Sequence, residues 1–373
     1  MRLHLIDALK GFGIMLVVFA HHSLPVSLNN YIYSFHMPLF FFVSGFLFDF
    51  GKYAESASSF VKKKFRSLIV PYFYFAVLTY LFYFLLDKVL PFGFFEHSTL
   101  YDVIYTILYA PGDSNLINPP LWFLPCLFVT VLLFYGFSKM CYGKPRKLVL
   151  WIIAAGVIGY LYPEYVPFRL PWTADVALSA VVFYGAGNLF KKFTDSEVES
   201  ESGIILKADS NLREMFPQVR KFLPGVFILL NLLYLGYVLE FPMTDETNMN
   251  VMEYGSFFWF YLLAFSGIFT IVYFFKKIGS SRILEYYGRN SLIVLALHYP
   301  VMGVLITLIF FIFGIDLNGD YYNASIALSL TVLNLVSLVP VIYVIDNYFP
   351  FILGKGSSKS LQDTKTHFTE SVN

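Results

Sequence analysis

Asp7, Lys10, His21, His22, His36 and His298 are the ionisable residues that fall well inside long apolar runs of this 373-residue sequence. Charge is costly in hydrocarbon, so such groups face a protein interior and usually serve function. Lys10 and His21 are eleven residues apart, about 1100° of helix, which leaves them ~20° apart in rotation and ~16 Å apart along the axis. Asp7 precedes Lys10 by three residues, the spacing of an i,i+3 ion pair on one helix face. That face therefore carries a charge pair at one end and an imidazole nearer the other. His36 lies near the start of the next apolar run, at the depth expected for His21, and two histidines meeting above a cationic face make a reaction centre. Proton transfer is the chemistry they suit, because an imidazole titrates near ~6.5. His298 is expected nearer the midplane, where a histidine that merely hydrogen-bonds a neighbouring helix is an equal alternative. His22 points ~100° away from His21 and is expected at the membrane interface.

The composition says what must hold these groups. Hydrophobic residues make up 57% of the chain, aromatics 20% and charged residues 14%, against roughly 45–50% apolar and about 25% charged in soluble domains. Water-soluble domains, low-complexity disorder, a collagen-like rod and a disulfide-stapled secreted module are excluded. The net charge of +1 gives no reason to expect nucleic acid. Cys126 and Cys141 share one apolar segment and lie ~22 Å apart on a helix, too far for a disulfide, which needs Cα atoms within roughly 7 Å.

Spanning helices need about 20 mostly apolar residues. Ten segments qualify, near 5–24, 31–49, 68–90, 120–140, 148–162, 173–190, 222–240, 254–275, 290–314 and 323–346. The expected fold is an all-α polytopic membrane protein of about ten transmembrane helices. Asp7 and Lys10 interrupt the first segment, so it is expected in the mature protein rather than as a cleaved signal. With both termini cytoplasmic, 24 of the 26 basic residues fall on the inner side, leaving Lys88 and Arg169 outside. The 50–67 loop carries Lys52, Lys62, Lys63, Lys64 and Arg66, a run that a topology signal alone would explain. The loops 91–118 and 241–253 lean acidic and are expected outside.

Several stretches, taken in order, resemble the membrane acyltransferase-3 family. Lys10 and His21 match its basic residue, ten positions, then histidine. His36-Met37-Pro38-Leu39-Phe40-Phe41 with Ser44-Gly45 is similar to the signature of its fucose 4-O-acetylase-like branch. Lys63-Lys64-Phe65-Arg66 before Val70-Pro71-Tyr72 resembles the family's basic pair, although lysine stands at 63 where arginine is common. Lysine lacks arginine's bidentate fork for phosphate. Leu121-Trp122-Phe123-Leu124, Pro171-Trp172-Thr173 with Tyr184-Gly185-Ala186-Gly187, and Gly288-Arg289-Asn290-Ser291 with Leu297-His298 complete the likeness over residues 2–300.

The resemblance implies an acyltransferase transmembrane domain over 1–350, and the Ser/Lys/Thr-rich composition of the remainder leads us to expect a disordered cytoplasmic tail over 351–373. It implies transfer of an acetyl or longer acyl group from acyl-CoA, most often acetyl-CoA, to a carbohydrate hydroxyl of a surface glycan or its precursor in a bacterial plasma membrane. His21 is then the general base, Asp7 holds Lys10, and Lys63 and Arg66 face the coenzyme A phosphates. His36, Ser44, Trp122 and Asn290 are the candidate oxyanion donors, and Ser291 and His298 are further substrate-side candidates. No metal is expected, and the expected partners are the carbohydrate acceptor and membrane lipids, not nucleic acid. A secondary transporter or flippase that relays protons through the intramembrane Lys and His residues is the competing class.

Overall fold

The computed structural model describes residues 2–53, 56–89, 99–112, 118–142, 144–201, 217–241, 247–315 and 323–355. Among these the chain is built of helices: α1 (Arg2–Ala20), α2 (Val26–Tyr33), α3 (His36–Phe46), α4 (Ala57–Lys64), α5 (Val70–Val89), α6 (Leu100–Tyr109), α7 (Phe123–Met140) and α8 (Pro145–Tyr165). There follow α9 (Ala174–Glu201), α10 (Pro217–Glu240), α11 (Phe257–Ile278), α12 (Arg282–Arg289), α13 (Ser291–Phe313) and α14 (Ala324–Tyr348). Eight helical stretches of the described residues are long and apolar enough to cross a membrane. This is an all-α, multi-pass membrane protein. Leu81, Leu150, Leu232, Trp259, Phe311 and Val336 sit exposed on the outer surfaces of those helices, the apolar coat that a bilayer requires.

The two expected spans outside those eight are the ones that carry His21 and His36. α1 holds Arg2, Asp7 and Lys10 within 19 residues. The second expected span breaks at Ser34-Phe35 into α2 and an 11-residue α3. Pro38 falls in the first turn of α3, where a missing N–H costs no intrahelical bond. Every residue of α3 except Ser44 is buried. It lies against α1, α9 and α11, so lipid never bounds it and its length need not match a bilayer.

Close approach of backbones makes this packing possible. A Cβ at Gly45 would run into the Tyr184 carbonyl, and one at Gly187 into the Phe42 carbonyl, so α3 and α9 touch main chain to main chain. Around the crossing sit the fully buried rings of Phe41, Phe42, Phe134 and Tyr184.

Three expectations about connections change. The 50–67 loop is helical from Ala57 onward, and α4 continues through a π-turn (Phe65–Ile69) into α5 as one apolar run, Ala57–Lys88. Within 91–118 the chain forms α6, whose start is secured by a Thr99–Asp102 capping box. The expected tail boundary at 351 falls inside a 3₁₀ turn, Pro350–Leu353. That turn is followed by Gly354, packed directly on the Arg66 carbonyl, and by Lys355, whose Nζ lies 2.8 Å from Asp346 Oδ1. The rest of the tail, 356–373, lies outside the described residues, as do 202–216 of the 191–221 loop.

Candidate functional site

His21 follows the last turn of α1 and His36 opens α3, and the two side chains line one cavity of about 230 Å³. α1 also contributes Val17, α3 Met37, the last residue of α2 Tyr33, and α13 Leu295 and Tyr299. The Asn118–Trp122 stretch adds Pro119, Pro120 and Trp122, while the segment before α11 adds Asn248, Met249 and Asn250.

The three clustered histidines share one hydrogen-bonding device. His21 Nδ1 donates to the Val17 carbonyl at 2.7 Å, and His36 Nδ1 to the Ile32 carbonyl at 2.8 Å. His298 Nδ1 lies 2.9 Å from the Val294 carbonyl and 3.0 Å from that of Leu295. A carbonyl oxygen only accepts, so each Nδ1 carries a proton, and in the neutral ring each Nε2 keeps its lone pair. Helical geometry supplies the partner, since a side chain leans back over the turn before it. The His21 ring meets the His298 ring edge to face at 4.9 Å between centroids, and Tyr33 approaches His36 in the same manner at 4.9 Å.

His298 itself is fully buried, and its Nε2 has no hydrogen-bond partner. It does not line the cavity but stands behind His21. His22 is buried too, with neither ring nitrogen partnered. The protein interior rather than an interface encloses it, because the chain turns sharply after α1.

Pro300 explains how the wall from Asn118 to Trp122 is brought here. Lacking an N–H, it leaves the Ala296 carbonyl without its helical donor, and a buried carbonyl needs another. Asn118 Nδ2 takes the place at 2.7 Å and also bonds Thr79 Oγ1 at 3.1 Å. Asn334 Nδ2 bonds the His298 carbonyl at 2.9 Å, which fastens α14 to the same turn of α13.

The other candidates named from the sequence separate by location. Lys10 Nζ lies 3.4 Å from Asp7 Oδ1, the i,i+3 pair expected, ~21 Å along the helix from His21 for Asp7. Lys63 and Arg66 are exposed on α4 and the π-turn. Ser44 lies ~12 Å along α3 from His36 and is not in the cavity wall. Asn290 joins α12 to α13 with its Nδ2 bonded to the Tyr286 carbonyl at 2.9 Å, and Ser291 opens α13. Ser44, Asn290 and Ser291 are thus kept from the histidines by helix length. Of the oxyanion candidates, His36 and Trp122 alone line the cavity. The only N–H of neutral His36 is committed to Ile32, whereas Trp122 carries an indole N–H.

Sequence reasoning missed Tyr33, Tyr299, Asn248 and Asn250, and it missed a buried ion pair close by. Arg169 Nε bonds Asp175 Oδ2 at 2.8 Å, with Asp175 wholly buried. The Leu170 and Val176 amides donate to the same carboxylate at 3.0 and 2.8 Å. Trp172 and Thr173 between them hold φ of +58° and +49°, a strained region for non-glycine residues that persists only when its surroundings over-determine it. Trp172 Nε1 bonding the Leu108 carbonyl at 2.9 Å is part of that restraint. The signal available was an aspartate at a helix start, close in sequence to a basic residue.

Residues 3–346 match the model of a protein family described as "Acyltransferase domain". No curated protein and no solved structure matches the chain.

Proposed function

Because the chain belongs to the acyltransferase-3 family, we propose that it moves an acetyl group from acetyl-CoA to a carbohydrate hydroxyl in a surface glycan or its lipid-linked precursor, with His21 as general base. The observation that carries this reading is the His21 ring, anchored at Nδ1 and presenting its Nε2 lone pair beside a cavity. Nε2 takes the hydroxyl proton as that oxygen attacks the thioester carbonyl. Trp122 offers its indole N–H to the oxyanion of the tetrahedral intermediate. As the C–S bond breaks, the His21 imidazolium returns the proton to the departing sulfur, giving ester and free coenzyme A.

Coenzyme A phosphates cannot enter hydrocarbon, and the exposed Lys63 and Arg66 suit them, on the side where the basic residues concentrate. Family membership favours this chemistry over transport. The motif at Ser34–Phe46 supports the fucose 4-O-acetylase-like branch and a bacterial plasma membrane, and the distribution of basic residues supports both termini inside. On that orientation the acceptor reaches His21 from the exterior.

General-base catalysis contributes about 10²–10⁴ in rate, and His21→Ala is expected to lose that factor. The check is radiolabelled acetyl incorporation into cell glycan, at matched amounts of membrane-inserted protein. Undiminished incorporation overturns the role of His21.

A further inference from the structure

One wall of the cavity takes no part in proton transfer. Asn248, Met249 and Asn250 form it, on a small hairpin in which the Asn248 and Glu253 backbones exchange hydrogen bonds of 2.7 and 3.0 Å. The hairpin is pinned to the bundle. Met249 and Tyr254 are buried, the Tyr160 hydroxyl bonds the Gly255 carbonyl at 2.7 Å, and the Asn248 carboxamide oxygen accepts from the Asn250 amide at 3.1 Å. Gly112 abuts Thr173, Asn250 and Arg169 and leaves no space for a side chain of its own. Asn250 Oδ1 is the atom packed against Gly112, and it is buried with no partner.

The cavity's electrostatics narrow the ligand. None of its thirteen lining residues is Asp, Glu, Lys or Arg. A carboxylate or phosphate entering there would lose its hydration and meet carboxamides, apolar and aromatic side chains, and imidazoles that must stay neutral to act as bases. Resting on the acyltransferase reading above, we propose that Asn248 and Asn250 are the acceptor-selecting residues, holding a neutral, hydroxyl-rich sugar ring by its hydroxyls and excluding anionic sugars. An asparagine side chain both donates and accepts, as a hydroxyl does, so the two carboxamides match neighbouring hydroxyls of one ring.

The test uses the full chain in lipid nanodiscs with radiolabelled acetyl-CoA and matched acceptors that differ only at C6, where a hydroxymethyl group is replaced by a carboxylate. These are methyl glucoside with methyl glucuronide, methyl galactoside with methyl galacturonide, and methyl mannoside with methyl mannuronide. The expected result is transfer to a neutral member with kcat/KM about 100-fold or more above its uronate partner. Asn250→Ala is expected to raise KM for that acceptor roughly tenfold and to leave KM for acetyl-CoA unchanged. Asn248→Ala keeps the backbone pairing with Glu253 and is expected to act in the same direction, so a folding failure of one variant leaves the other. Equal use of a uronate, or unchanged acceptor KM in both variants, overturns the proposal while the transferase reading stands. Transfer to none of the six counts against the carbohydrate reading and takes this proposal with it.

Discussion

The rings of His21 and His298 meet edge to face, 4.9 Å between centroids, although 277 positions separate them in the chain. One borders the cavity and the other is fully buried behind it, with an unpartnered Nε2. Any proton that His21 gains therefore arrives beside a second imidazole whose lone pair has nothing else to do.

On the proposed mechanism that arrangement gives His298 a positioning role. His298→Phe keeps a flat ring against His21 and removes the lone pair. The expected outcome is a folded protein whose kcat falls about tenfold, with KM for acetyl-CoA unchanged. Steady-state kinetics at several pH values check this, and an unaltered kcat leaves His298 as a packing residue only.

A second expectation concerns Arg169 and Asp175. Removing one partner of a buried ion pair strands a charge, at a cost of about 3–5 kcal/mol. Arg169→Ala is expected to lower thermal stability in detergent by that order, with the strained Trp172–Thr173 turn released. Arg169→Met combined with Asp175→Leu removes both charges and is expected to recover part of the loss. A double variant as unstable as the single one shows that the carboxylate's bonds to the Leu170 and Val176 amides matter more than the ion pair.

The third expectation is a pH dependence at α12. The Ser280 hydroxyl, and next His4, hydrogen-bond Glu285 and hold its carboxyl below the usual carboxylate range. His4 Nδ1 lies 2.9 Å from Glu285 Oε2, joining α1 to α12. A depressed carboxyl binds its proton more weakly in the folded state, so its contribution is present at neutral pH and disappears as pH falls through the folded value. Hydrogen exchange of the 282–289 amides, corrected for intrinsic rate, is expected to quicken on acidification. Glu285→Gln is expected to show the faster exchange already at neutral pH, with the acid step gone. An unchanged acid step in Glu285→Gln assigns it to another group.

Much of the architecture was legible because it depends on neighbours in the chain. Apolar runs of bilayer length declared most of the spans, and the three-residue spacing of Asp7 and Lys10 announced their ion pair. What misled was reading every apolar run as an unbroken lipid-facing rod. The 31–49 run breaks at Ser34-Phe35, and α3 beyond it is buried in protein on nearly all sides; hydropathy does not distinguish such a core helix from a spanning one. The 50–67 loop was misjudged for the converse reason, since lysines on an exposed helical face look like a polar linker.

The sequence by itself determined that imidazoles would lie deep in an apolar bundle, because charge and hydrophobicity act position by position. Tertiary structure alone decided that His298 stands behind His21, that the carbonyl freed by Pro300 is met by Asn118, and that a hairpin carrying Asn248 and Asn250 closes the cavity. Each of those joins residues far apart in the chain. Their meeting is set by which backbones come close enough to pack, as at Gly45 and Gly187, and that is a property of the folded bundle rather than of any local run of residues.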